Sequence, residues 1–237
     1  MKRLSFVLAV PVILLPVAAS AGGYHGGAVA NGGSITGTVT FHGAVPKTKP
    51  MRVTKDEATC GHSIPVETLI VGKGGMLANA VVHLDKITMG KPMARSVVTL
   101  NQKGCMYHPH VQAATRGSKI ELISSDPILH NVHGALNGKR LIFNVAMPMK
   151  GQRIKKKLKK AGLVQITCDA GHTWMKAYVQ VFDHPYFAVT RTDGAFHITD
   201  VPPGSYDLVV WHEKLGTKRA RVTVTAGGDA KVTFVYP

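Results

Sequence analysis

From Ser34 onward, apolar and polar residues alternate with period two. Ile35, Val39 and Phe41 interleave with Thr36, Thr38 and Thr40, the pattern of a strand with one buried face. Ala80 to Leu84 repeats it, and between the two runs Pro46, Pro50, Cys60-Gly61 and Gly72 to Gly75 supply turn and loop chemistry. Lys119 to Ile123, Leu129 to Val132, Leu163 to Cys168 and Lys176 to Phe182 continue the pattern, divided by Gly, Pro and Asp. After His184-Pro185, Phe196, Ile198, Tyr206, Leu208 and Val210 alternate with polar residues around Val201-Pro202-Pro203-Gly204. No segment sustains a helical period. Ile154 and Leu158 inside RIKKKLKK put only two apolar residues on a face, which leaves a surface strand and a single exposed helical turn both open. The expected class is all-β, in two sandwich-like units.

The first residues have a different composition. Lys2 and Arg3 precede an apolar run from Leu4 to Val17, then Ala19-Ser20-Ala21, the layout of a secretory signal peptide over residues 1–21. That run is short and interrupted by Pro11 and Pro16, and no later segment reaches the ~20 apolar residues needed to span a bilayer. The expectation is an exported protein, periplasmic or extracellular, with no transmembrane segment. The Gly-rich tract 22–33 reads as a flexible leader. In an oxidising compartment Cys60, Cys105 and Cys168 can form at most one disulfide, so one thiol has other employment.

Cys168-Asp-Ala-Gly-His172-Thr-Trp-Met175 lies between two strand patterns, where a loop can turn a thiolate, an imidazole and a thioether toward one point. Those are ligands that copper prefers. His130 and His133 stand upstream in Leu129-His130-Asn131-Val132-His133, and residues three apart on a strand face opposite sides, so the two do not easily reach one ion. Over about residues 100–182 the chain resembles the cupredoxins, the single-domain blue-copper proteins. There a histidine followed by Asn-Val comes from an early strand, and Cys, His and Met come from a late loop. The resemblance implies a Greek-key sandwich with one mononuclear type 1 copper: His130, Cys168 and His172 as equatorial ligands and Met175 as the weak axial one. Three residues between Cys and His and two between His and Met depart from plastocyanin and azurin, and come closer to the copper domain of cytochrome oxidase subunit II. The second cysteine of that domain is replaced here by Val164.

Zinc fits this set less well, because a thioether is a poor zinc ligand. The bland alternative is a buried free cysteine with a core methionine and two incidental histidines. For Cys105-Met-Tyr-His108-Pro-His110 two readings stay open: a second metal cluster, or a Cys60–Cys105 disulfide that leaves Cys168 as the odd, metal-bound thiol. His110 and His133 are the lower-ranked candidates for metal binding or for support of the site.

Thr192-Asp193-Gly194-Ala-Phe196-His-Ile198 through Val210 resembles the carboxypeptidase regulatory-like domains, small non-catalytic transthyretin-like sandwiches. The opening strand usual in that family, Gly-Ser-Ile-Thr-Gly-Thr-Val, stands at Gly33 to Val39, far from the rest. The expected division is therefore 34–100 as a β-rich region that completes the C-terminal sandwich, 101–183 as the copper domain, and 184–237 as the second sandwich.

Lys plus Arg number 29 against 13 Asp plus Glu, a formal +16 of which Lys2 and Arg3 account for only two. Seven of these cations fall within Lys150 to Lys160. In an exported protein this points away from nucleic acid and toward an acidic redox partner docking on Lys155, Lys156, Lys157, Lys159 and Lys160; a solvated face is the bland alternative. The expected function is single-electron transfer by an exported, non-enzymatic copper protein. The rivals are a copper carrier or buffer, and a binding module with a vestigial site.

Overall fold

A computed structural model describes residues 23–237; the expected signal peptide lies outside the described residues. Among these, helix is confined to one turn at Glu57–Cys60 and a 3-10 turn at Lys73–Gly75. All remaining regular structure is strand, arranged mainly as two sandwiches.

The first sandwich packs a four-stranded sheet, in the order Arg153–Lys157, Lys119–Ser124, Val97–Lys103, Met106–His108, against a five-stranded one. The second sheet runs Arg140–Met147, His130–Leu136, Gly162–Cys168, Lys176–Phe182, Val111–Thr115. Alternation decides which side chains meet. Ile120 and Leu122 from one sheet, and Val132, Val164, Ile166 and Val179 from the other, are fully buried between them. The basic stretch is a strand: Arg153–Lys157 runs antiparallel to Lys119–Ile123, with Ile154 turned to the core and Leu158 buried just beyond it.

The second sandwich combines Phe187–Val189, Val81–Leu84, Gly204–His212 and Gly216–Val224 with Ala195–Val201, Gly33–Phe41 and Asp229–Tyr236. Gly33–Phe41 is its central short-sheet strand, parallel to Asp229–Tyr236 and antiparallel to Ala195–Val201. Gly37 is required there, because an added Cβ would come within 1.8 Å of the Val232 carbonyl and 2.7 Å of the Phe196 ring.

Two expectations need correction. Region 34–100 is not one unit: Gly33–Phe41 and Val81–Leu84 build the second sandwich, whereas Val53, Cys60, Ile64 and the strand Val97–Lys103 belong to the first. Local alternation marks a strand and is silent about which sheet it joins. Nor is the Gly-rich leader a free tail, since His25–Gly26 pairs in parallel with Met89–Gly90 and Tyr24 packs edge-on against Tyr186. One aromatic anchor seats a segment that composition marks as flexible.

Between the sandwiches Val81, Val111 and Phe182 form a small core flanked by Tyr178, Phe187 and Trp211. No helix among the described residues is long and apolar enough to cross a membrane.

Candidate metal centre

His130 opens one strand and Cys168 closes its neighbour, where Cys168 is registered against Val132. Immediately after Cys168 the chain turns, and its loop brings His172 back over the strand ends. The backbone N–H of Met175 closes the loop on the carbonyl of His172 at 3.0 Å. The result is a triad. His130 Nδ1 and His172 Nδ1 are 3.2 Å apart, and Cys168 Sγ is 3.9 Å from the first and 3.6 Å from the second. All three residues are buried.

The distal nitrogens of both rings are already engaged. His130 Nε2 meets Asp126 Oδ2 at 3.0 Å, and His172 Nε2 meets Asp56 Oδ2 at 2.8 Å. A carboxylate can only accept, so each Nε2 carries a proton and each Nδ1 is the nitrogen left for a ligand bond. Asp126 is itself fixed by the backbone N–H groups of Gly104 and Cys105, at 2.8 and 2.9 Å. Asp56 sits in the left-handed region, φ 55°, at the start of the turn Glu57–Cys60. Lys55 Nζ adds a bond of 2.6 Å to the carbonyl of Ala170 in the loop.

The Cys60–Cys105 disulfide joins these two supports. It ties the strap carrying Asp56 to the hairpin turn whose N–H groups hold Asp126. Its sulfurs lie within 4.8 Å of a His172 ring nitrogen, but being bonded to each other they are not thiolate donors. Trp174 donates its indole N–H to the carbonyl of Cys105 at 3.0 Å and lies 5.4 Å from the His172 ring, bracing the loop against the same turn.

Electrostatics follow from this geometry. Burial disfavours the Cys168 thiolate, yet the contact with His130, the Asn131 N–H, the adjacent His172 ring and the Ala170 N–H outweigh it and bring the thiol down to about 6. Burial likewise disfavours charge on His130, but its bonds to Asp126 and Cys168 raise it to about 9. Asp126, against the same opposing burial, is held below the usual carboxylate range by His130 and the two N–H groups.

Donors that share one ion at about 2.0 Å for nitrogen and about 2.3 Å for sulfur stand roughly 3–4 Å from one another. The triad's three edges fall within that span, so its residues fit a single metal ion. Met175, fully buried at the end of the loop, lines an apolar cavity of about 100 Å³ with Met51, Met106, Tyr107 and Trp174.

The lower-ranked candidates lie apart from the triad. His133 faces outward and bonds Asp169 at 2.6 Å, as the three-residue spacing requires. His110 is spoken for on both sides. Its Nδ1 donates to the Lys176 carbonyl at 3.0 Å and its Nε2 meets the buried Glu213 of the second sandwich, which leaves no lone pair for a metal. Burial lowers its proton affinity, but Glu213 and then Glu67 more than reverse this, and His110 braces the two sandwiches through Lys176 and Glu213. His108 is exposed.

Lys157, Lys159 and Lys160 stand at the opposite end of the first sandwich, while Lys155 and Lys156 lie along its edge strand, beside Glu121 and Ile120. The strand Gly162–Cys168 separates Lys160 from the triad by about 20 Å. Arg153 and Lys155 are also committed to Glu121, at 2.7 and 3.5 Å. Sequence reasoning missed Asp56 and Asp126. Asp126 stands only four residues before His130, but no helical spacing marks it, and Asp56 is 116 residues from its partner.

Fold and site together define an all-β protein of two sandwiches with a buried Cys-His-His centre in the first. Residues 164–236 match the carboxypeptidase regulatory-like domain family, a span that begins within Gly162–Cys168 and continues through the second sandwich. No curated protein sequence matches the chain. Among solved structures, a purple cupredoxin from Nitrosopumilus maritimus is 18% identical with a TM-score of 0.32, covering 36% of this chain and 99% of its own. A reduced amicyanin variant is 22% identical at 0.33, over 36% and 82%. A copper-containing nitrite reductase from Thermus scotoductus is 18% identical at 0.32, over 43% of this chain and 25% of its own.

Proposed function

We propose that this protein holds one copper ion on His130 Nδ1, Cys168 Sγ and His172 Nδ1, with Met175 as the weak fourth ligand, and carries single electrons outside the cytoplasm. The observation that carries the reading is the convergence of two Nδ1 atoms and one thiolate sulfur at 3.2–3.9 Å, each imidazole turned that way by a carboxylate on its far nitrogen. Copper alternates between Cu(I) and Cu(II), and two imidazoles with one thiolate suit both states. The chain's own contribution is rigidity. His130 and Cys168 stand on paired strands, and the His172 loop is clasped by Asp56, Lys55, Trp174 and the disulfide. Little has to move when charge changes.

Burial of His130 and His172 would enclose an ion held there and deny a substrate direct access to it, which favours a carrier over an enzyme. The disulfide fits an oxidising compartment. Absorption spectroscopy of the copper-loaded chain tests the proposal. A strong visible thiolate-to-Cu(II) band that vanishes in Cys168→Ser supports it; a colourless protein that retains only Cu(I) would make it a copper carrier instead.

A further inference from the structure

We propose that the end of the first sandwich remote from the triad is a docking surface for an anionic lipid bilayer. Four separate segments meet there. The register places Val97 beside Lys119 and Lys119 beside Lys157. Gly117 bonds the carbonyl of Leu158, and Arg95 lies against Gly117. Opposite them, the turn Asn137 to Lys139 and the start of the strand Arg140–Met147 close a cleft of about 220 Å³ lined by Arg140, Leu141, Ile142, Lys157, Lys159 and Lys160.

This end therefore presents Arg95, Lys119, Lys139, Arg140, Lys157, Lys159 and Lys160, all exposed, and none forms an ion pair among the described residues. The nearby acids are already used: Asp183 pairs with Arg116, and Glu121 with Arg153 and Lys155. Among the cations stand two uncovered apolar side chains, Leu141 at 55% and Val97 at 51% exposure.

A soluble polyanion or an acidic protein would account for the charge. Neither alone explains apolar side chains set among lysines, whereas a bilayer with anionic headgroups takes the cations at its surface and the apolar groups between its lipids. An acidic redox partner docked here would also remain about 20 Å from the triad. On a bilayer, this surface directs the triad away from the lipid and leaves it open to partners in solution.

Co-sedimentation of the purified chain with vesicles tests the proposal. Binding is expected to vesicles of phosphatidylcholine containing a minority of phosphatidylglycerol, to be absent on pure phosphatidylcholine, and to fall as salt rises. Reversing Lys157→Glu, Lys159→Glu and Lys160→Glu together is expected to weaken binding by about 100-fold, and Leu141→Ser by about tenfold. The neutral set Lys157→Gln, Lys159→Gln and Lys160→Gln, checked by circular dichroism, separates lost binding from lost folding. Three outcomes overturn the proposal. One is no binding to the mixed vesicles. Another is an equal loss when Lys47, Lys49 and Lys73 are reversed instead. The third is binding to dextran sulfate through the same lysines with no effect of Leu141→Ser on vesicles, which would assign the surface to a soluble polyanion.

Discussion

Asp126 Oδ2 lies 3.0 Å from Nε2 of His130, and this contact decides which nitrogen of the ring faces Cys168. The carboxylate is also the acceptor for the N–H groups of Gly104 and Cys105, so it is anchored by the disulfide turn before it orients the imidazole. Asp126→Asn retains an acceptor for part of this network and loses the charge. Copper affinity of this variant is expected to fall by about 10- to 100-fold, measured by competition with a chelator of known affinity. An unchanged affinity would show that strand geometry alone orients His130.

Metal uptake should displace a proton from the same ring. In the metal-free protein His130 is raised to about 9 and Cys168 lowered to about 6, so near pH 7.5 the sulfur is already ionised while the imidazole carries both protons. A ligand bond at Nδ1 requires that site to be bare. Calorimetry in buffers of different ionisation enthalpy should therefore report release of about one proton between pH 6 and 9. Release should rise toward two below this window, as Cys168 becomes protonated, and fall toward zero above it. Flat release across the range would contradict the His130–Cys168 pairing.

Much of this organisation is legible along the chain, but unevenly. Cys168, His172 and Met175 are close in sequence because one loop carries them, and loop chemistry shows in a short window. Strands such as Lys119–Ser124 show because each buries one face. Asp56 carries no such signal, since its role depends on a one-turn helix and a disulfide that deliver it to a histidine 116 residues away. The basic run is visible as composition, while its distance from the triad is not. Proximity of Lys160 to Cys168 in sequence becomes separation in space, because an extended strand runs between them at about 3.3 Å per residue.

Removal of the disulfide should act on both stability and the site. Cys60 and Cys105 are 45 residues apart and both buried, so opening the link releases a long loop in the unfolded chain. Loop entropy alone sets the loss for Cys60→Ser with Cys105→Ser at about 4 kcal/mol, readable by denaturant unfolding. The freed strap also carries Asp56 away from His172. Copper affinity of the still-folded variant should therefore drop by at least as much as in Asp56→Asn. A variant that loses stability yet keeps full affinity would separate the disulfide from the site.

His184 sets an acid limit on stability at the junction of the sandwiches. It is buried against Phe182, Tyr186 and His83, and burial, then the neighbouring His83, lowers it from 6.5 to about 4. The Leu84 backbone and then Asp85 oppose the shift on His184 but do not cancel it. Its Nδ1 accepts the Tyr186 N–H at 3.2 Å, a bond that requires a bare nitrogen. A histidine with a depressed native value is protonated more readily in the unfolded chain. The stability it contributes is thus complete above pH 6.5, declines as pH falls below that, and is gone below about pH 4, a span worth about 3 kcal/mol. His184→Gln keeps an acceptor for Tyr186 without a titrating group. The variant should lose the part of the decline that lies between pH 6.5 and 4, as measured by urea unfolding at stepped pH. If its stability falls across that interval as steeply as in the parent chain, the limit belongs to another group.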